Sequence, residues 1–399
     1  MDTLLIRIKL GIIKPIEIFC SAGIMRKKFT DNHLILLALI LYLPLLFLGY
    51  GSDYDSYNVL LTGRNFAESL DYVPSRVPGF PVYETLIFFI DSMGGFLLTN
   101  LASMGMALLV LFVFIRLCHQ YHIPHYRLLT LILMVQPYFW VNATCTMDYF
   151  IAMGFIFLGI LQILRGRFTT AGFAFALAVG SRMTVSLMAV VLILWLFFSM
   201  PQQRWRIVQT ALIGMIFSLV FYLPSADFSQ WRLSYFSPSV GGQEYWTIYL
   251  RLGRFAYKNL YFWSPFVFVL LMWGGLRLLG MEKRLWDPIH GGLPIVSLAL
   301  ILVMEAFYLT LPTEPSYLLP TLPFWLILMG LAFEDKRWVL VLMLSLTLVF
   351  NGINFNIARP NVADKATDAQ YGIWIEPGYL LKDIQDRQAY INCGYWPCD

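Results

Sequence analysis

Eleven apolar runs, each separated from the next by a short charged or proline-bearing break, occupy most of the chain between His33 and Phe355. They fall at about 33–49, 96–117, 128–142, 149–164, 168–181, 184–200, 207–223, 260–279, 292–310, 318–333 and 338–355. Water cannot be the main solvent of such a chain, in which 59% of the 399 residues are hydrophobic and only 13% charged, against about 25% charged in soluble domains. The expected fold class is an all-α polytopic membrane protein with about eleven transmembrane helices. Several runs are shorter than the ~20 residues of a perpendicular span. Such helices either extend past these boundaries or end beneath the surface, around a cavity. Aromatic residues, 17% of the chain, suit interfacial belts against membrane lipids. No basic patch interleaved with aromatics points to nucleic acid.

The cations divide by loop. Arg116, Arg127, Arg165, Arg167, Arg204, Arg206, Arg277, Lys283, Arg284, Lys336, Arg337 and the cations ahead of the first run fall on one side, more than half of the 28 Lys and Arg. The positive-inside rule makes that side cytoplasmic, with the N-terminus inside and the C-terminus outside, in a plasma or inner membrane. With no internal repeat or low-complexity linker, the chain divides into an N-terminal segment 1–32, a membrane domain 33–355 and an exterior tail 356–399. Residues 1–24 form an apolar or amphipathic lead-in without a small-residue cleavage site. The tail is expected to pack on exterior loops, and Cys393 and Cys398 to form a disulfide there.

The most polar stretch of the front half, Gly51 to Glu84, follows the first run. A charged cluster beside a membrane is costly unless it has a use. With this topology its Asp53, Asp55, Arg64, Arg76 and Glu84 share the outer face with Asp148, Arg182, a loop at about 224–259 (Asp227, Arg232, Glu244, Arg251, Arg254, Lys258), and Glu314 and Tyr317. Carboxylates there can serve as general base or hold a divalent metal, and arginines can bind phosphate bidentately. Plainer roles stand beside these. Either aspartate fits the N-cap of a helix starting near Ser56, Arg182 fits a snorkelling helix end, and Glu305 fits a partner for a neighbouring helix. Val82 to Gly95, apolar but short, reads as a helix lying at the interface.

DYDSY after the first run, then PSRVPGFPVYE, resembles the GT-C superfamily of integral-membrane glycosyltransferases, of which protein O-mannosyltransferases and aminoarabinose transferases are members. AVGSRMT is similar to that superfamily's arginine-bearing turn, and EPSYLLPTLP to its late RYLLP turn, with Ser316 at the arginine position. The resemblance implies an exterior first loop with short interfacial helices. It also implies transfer of a sugar from a polyprenyl-phosphate donor to a glycan, lipid or protein acceptor, with inversion. By the same resemblance the essential acid is Asp55 or Asp53, and Asp148 is the second acidic position. The expected phosphate ligands are Arg182, Arg76, Arg251 and Arg254, and Tyr57, Glu84, Glu314 and Tyr317 are expected to position substrate. A divalent metal (Mg or Mn), if bound, would sit on Asp53, Asp55 or Asp148. The rival classes are a lipid-linked-sugar transporter or flippase, disfavoured by charges that crowd one face, and an O-antigen-type polymerase or ligase.

Overall fold

The computed structural model describes residues 23–69, 72–76, 79–225, 248–280, 290, 292–359 and 370–392. Every expected apolar run is helical over most of its length, and the chain is a multi-pass membrane protein. Among the described residues, four helices are long and apolar enough to cross a membrane, or five if one bent pair counts as a span; the remaining apolar helices have 10–17 residues.

The front half consists of α1 (Gly23–Tyr42), α2 (Tyr54–Ser69), α3 (Pro81–Gln120), α4 (Tyr126–Val135), α5 (Pro137–Asn142), α6 (Asp148–Leu164) and α7 (Phe168–Ser181). The back half has α8 (Ser186–Ser199), α9 (Arg204–Tyr222), α10 (Ile248–Trp263), α11 (Pro265–Leu279), α12 (Leu293–Thr310), a 3₁₀ turn Pro315–Thr321, α13 (Leu322–Ala332) and α14 (Arg337–Gly352). The tail adds β1 (Ile353–Arg359), β2 (Gln370–Pro377) and α15 (Tyr379–Asn392).

The 40-residue α3 is two helices joined at Gly94–Gly95. Gly95 takes φ 59°, ψ −152°, a region closed to residues with a Cβ. The break separates the 82–95 segment, expected as an interfacial helix, from the run at 96–117. A second break divides the run at 128–142, expected as one helix. Pro137 forces Gln136 into an extended conformation (ψ 127°). The Gln136 side chain then accepts the Phe139 N–H at 2.8 Å and donates to the Phe262 carbonyl at 3.1 Å.

A third departure concerns the loop at 224–259. From Ile248 the chain is already the amphipathic helix α10, and at Ser264–Pro265 it turns by 100° into α11. Pro265 lacks the N–H that would continue α10. Asp227, Arg232, Glu244 and the Cys393–Cys398 pair lie outside the described residues.

The core is built from α3, α4, α6, α7 and α13, whose facing side chains are almost wholly buried. Close approach of α7 to α9 depends on Gly172, where a Cβ would stand 2.8 Å from the Thr210 carbonyl oxygen. Glu305 of α12 accepts from Asn259 of α10 at 3.2 Å, a partner on a neighbouring helix.

Antiparallel pairing of β1 with β2, from Ile353↔Pro377 to Arg359↔Gln370, adds a strand hairpin to the expected all-helical chain. The first five residues of INFNIAR alternate apolar and polar, which is the strand period. Helix α15 then lies on the loops that carry the site. Buried Arg387 donates to the carbonyls of Thr144 (2.9 Å), Leu45 and Val141 (3.4 Å each), and pairs with Asp383 at 2.9 Å. Asp383 in turn accepts from Ser52 at 2.6 Å.

Candidate active site

Asp53 caps α2. Its Oδ1 accepts the Asp55 N–H at 2.9 Å, and its carbonyl the Ser56 N–H at 3.1 Å. Capping leaves Asp55 in the first helical turn, turned toward the proline-bearing loop that follows α2.

That loop is folded by Glu84. From the first turn of α3 the buried Glu84 carboxylate accepts from the Tyr72 hydroxyl, the Ser75 N–H (2.9 Å) and hydroxyl, and the Phe80 N–H (3.3 Å). The loop so held presents Arg76, whose guanidinium rests over the Phe80 ring at 4.7 Å and pairs with Asp55.

Asp148 opens α6 and Arg182 follows α7, so the antiparallel helix pair brings them together. Arg182 Nη1 donates to Asp148 Oδ2 at 2.5 Å, and Arg76 Nη2 stands 3.8 Å from Oδ1. Asp148 is wholly buried and holds two guanidinium groups side by side. Arg182 lies over Tyr149 at 4.1 Å and Tyr317 at 4.8 Å, two cation–π contacts that hold it flat. The Arg76 Nε–H is buried and has no acceptor among the described residues, a donor that a ligand oxygen could satisfy.

Glu314 reaches the same region from the turn before α13. Tyr149 donates to its Oε2 at 2.9 Å, and one oxygen each of Asp53, Asp55 and Glu314 lies within 4.8 Å of the others. Three carboxylates so close cannot all ionise freely. Burial, then the charge of Asp53 and a hydrogen bond to it, push Glu314 up to about 8. Asp55 is pushed up to about 6, chiefly by burial, with Arg76 opposing.

The candidates of the sequence thus fall into groups. Asp53, Asp55 and Glu314 form a carboxylate trio, and Asp148, Arg76 and Arg182 an ion cluster that Asp55 joins through Arg76. Asp148 is grouped with the arginines and not with the two first-loop aspartates, so Glu314 takes the third place in the trio. Tyr317 stacks on Arg182, and Glu84 shapes the loop. Arg254, on α10, reaches the Pro312 carbonyl at 3.5 Å, close in sequence to Glu314. Arg251 shares that helix, but the ion partners of Asp148 among the described residues are Arg76 and Arg182. Tyr57 turns to the tail, edge-on to Tyr390 at 6.3 Å. Tyr149, Asp383 and Arg387 had no sequence signal, because a tyrosine after an aspartate and an i,i+4 pair in a polar helix are commonplace.

No family model and no curated protein matches the chain. Among solved structures it is similar to ArnT from Cupriavidus metallidurans bound to undecaprenyl phosphate, with a TM-score of 0.51 and 16% identity over 79% of this chain. The apo state of ArnT aligns with a TM-score of 0.49 and 18% identity over 79% of this chain. The chain spans about 60% of the length of the ArnT chains, 61% and 60% respectively. The likeness is one of fold.

Proposed function

We propose that the chain is a glycosyltransferase that moves a sugar from a polyprenyl-phosphate donor to an acceptor at the exterior face of the membrane. The observation that carries this reading is the adjacency of two arginines, one with a buried N–H that has no acceptor among the described residues, to a trio of carboxylates of which Asp55 and Glu314 are pushed up by burial. A leaving phosphate needs cations held in advance, and an attacking hydroxyl needs a base. The GT-C-like fold and the undecaprenyl phosphate bound to ArnT support a polyprenyl donor.

In the proposed reaction the acceptor oxygen attacks the anomeric carbon while its proton passes to Asp55. The bond from that carbon to the phosphate oxygen breaks, and the electron pair stays on the polyprenyl phosphate, which Arg76 and Arg182 stabilise. A single displacement inverts the anomeric carbon. Asp148 keeps both guanidinium groups in place and shares them with the incoming phosphate.

Three oxygen donors within 4.8 Å suit a hard divalent cation such as Mg or Mn. Asp53, Asp55 and Glu314 would hold it, and it would supply a positive charge that orients the acceptor hydroxyl.

The test is turnover of a panel of single-sugar polyprenyl phosphates by the full chain in lipid nanodiscs, read as release of polyprenyl phosphate. Release abolished by Arg182→Ala supports the assignment. A chain that binds no undecaprenyl phosphate, or that accepts only oligosaccharide pyrophosphates, would overturn it. Reporter fusions at Arg165 to Arg167 test the sidedness and should report cytoplasm.

A further inference from the structure

Asp53 and Glu314 belong to a second feature, a cavity of about 230 Å³ bordered also by Lys258 of α10 and by Lys382, Asp383 and Asp386 of the tail helix α15. None of Arg76, Arg182, Asp55 and Asp148 lines it. The trio therefore stands between the arginines and this cavity.

Three tyrosines, Tyr138, Tyr261 and Tyr379, supply the aromatic wall. Tyr138 stacks on Tyr379 with ring centres 3.9 Å apart and planes 17° from parallel. Tyr138 is 2% exposed, and its hydroxyl has no hydrogen-bond partner among the described residues. The titrating groups around that hydroxyl are Tyr261, Tyr379, Tyr308 and Glu314, which places it beside the cavity and near the trio. A buried hydroxyl without a partner marks a position where a ligand group can complete it.

The charges of the wall come close to balance. Asp383 is already held by Arg387 at 2.9 Å and by Ser52. Lys258 and Lys382 then face Asp53, Asp386 and Glu314, an excess of one acid at most. Neither an anion nor a cation is selected by net charge. The volume is below the roughly 300–1,000 Å³ of sites for drug-sized molecules, so one small ring fits and a chain of them does not.

We propose that this cavity is the acceptor subsite and that it takes a single neutral, hydroxyl-bearing sugar ring, with the tail helix α15 as one of its walls. The assignment rests on the glycosyltransferase reading. Aromatic rings cover the apolar face of such a ring, Tyr138 and the lysines meet its hydroxyls, and the Asp53–Glu314 edge puts one hydroxyl within reach of the carboxylates.

The experiment uses the full chain in nanodiscs and ligand-observed saturation-transfer NMR. The probes are neutral methyl hexopyranosides, with glycerol 3-phosphate and ethanolamine as charged comparisons, and undecaprenyl phosphate is titrated separately. At least one methyl hexopyranoside should bind in preference to both charged probes. Tyr138→Phe, which removes one oxygen, should weaken it about fivefold, the worth of one hydrogen bond. Asp386→Asn, on the partly open side of the cavity, should weaken it without touching the core. Undecaprenyl phosphate binding should be unchanged in both variants and weakened by Arg182→Ala. Binding of the lipid with no neutral glycoside bound would overturn the acceptor assignment alone. So would preference for a charged probe, or indifference to both substitutions. A wild-type chain that binds no undecaprenyl phosphate would overturn the enzymatic reading, and the acceptor assignment with it.

Discussion

Asp148 and Arg182 are 34 positions apart and meet at 2.5 Å, because the antiparallel helices α6 and α7 bring the first residue of one beside the residue that ends the other. The contact is wholly buried on the aspartate side and shared with Arg76 at 3.8 Å. A carboxylate in that position is a counter-ion first, since two guanidinium groups so close repel one another without it.

Replacing Asp148 by Asn should therefore unfold the site before it touches the chemistry. Removing one partner of a buried pair costs about 3–5 kcal/mol, which should appear as a lowered Tm in detergent. The double variant Asp148→Asn, Arg182→Gln should lose less than the two singles added. Strict additivity would mean that the pair is not energetically coupled.

Asp55→Asn retains shape and removes the base, so turnover should fall by about 10²–10⁴-fold with donor binding little changed. Asn caps a helix as well as Asp, so Asp53→Asn leaves α2 intact and should cost less. Release of polyprenyl phosphate measures both, and the reverse order of effects would make Asp53 the base.

Turnover should depend on pH through Asp55, whose carboxyl is pushed up to about 6 by burial. The base acts when deprotonated, so the rate should climb about tenfold per pH unit below about 6 and level off above it. Stability runs the other way. The folded carboxyl binds its proton more tightly than the unfolded one, at about 3.9, so its contribution is lost as pH rises between about 4 and 6. A rate that stays flat from pH 4.5 to 7.5 would exclude Asp55 as the base.

The tail should be separable from the membrane domain. Arg387→Met removes three carbonyl contacts and strands Asp383, at a cost of about 3–5 kcal/mol. Hydrogen exchange should quicken in residues 379–392 and stay slow in α6 and α7. Uniformly faster exchange would make the tail integral to the core.

Gly95→Ala should destabilise by about 1–3 kcal/mol, because φ 59°, ψ −152° is closed to alanine. Gly105→Ala on the same helix, where a Cβ meets nothing within 4 Å, should be neutral or stabilising. Equal melting temperatures for the two variants would mean that the break at Gly94–Gly95 is not required.

Hydrophobic runs of membrane length determined by themselves that this chain is a bundle of helices in lipid, because a backbone there must satisfy its own hydrogen bonds. Local chemistry also determined the aspartate cap of α2. The same kind of signal was present at Gln136–Pro137, at Ser264–Pro265 and in the alternation of INFNIAR, though apolar content masked it. The grouping of the site was decided elsewhere. Whether Asp148 or Glu314 joins Asp53 and Asp55 depends on which helix ends meet, and contacts across 34 or 165 positions leave no trace in spacing. Asp383 and Arg387 look like any i,i+4 surface pair. Only the docking of α15 onto the carbonyls of Leu45, Val141 and Thr144 buries them, and only that docking turns a polar tail into one wall of the cavity.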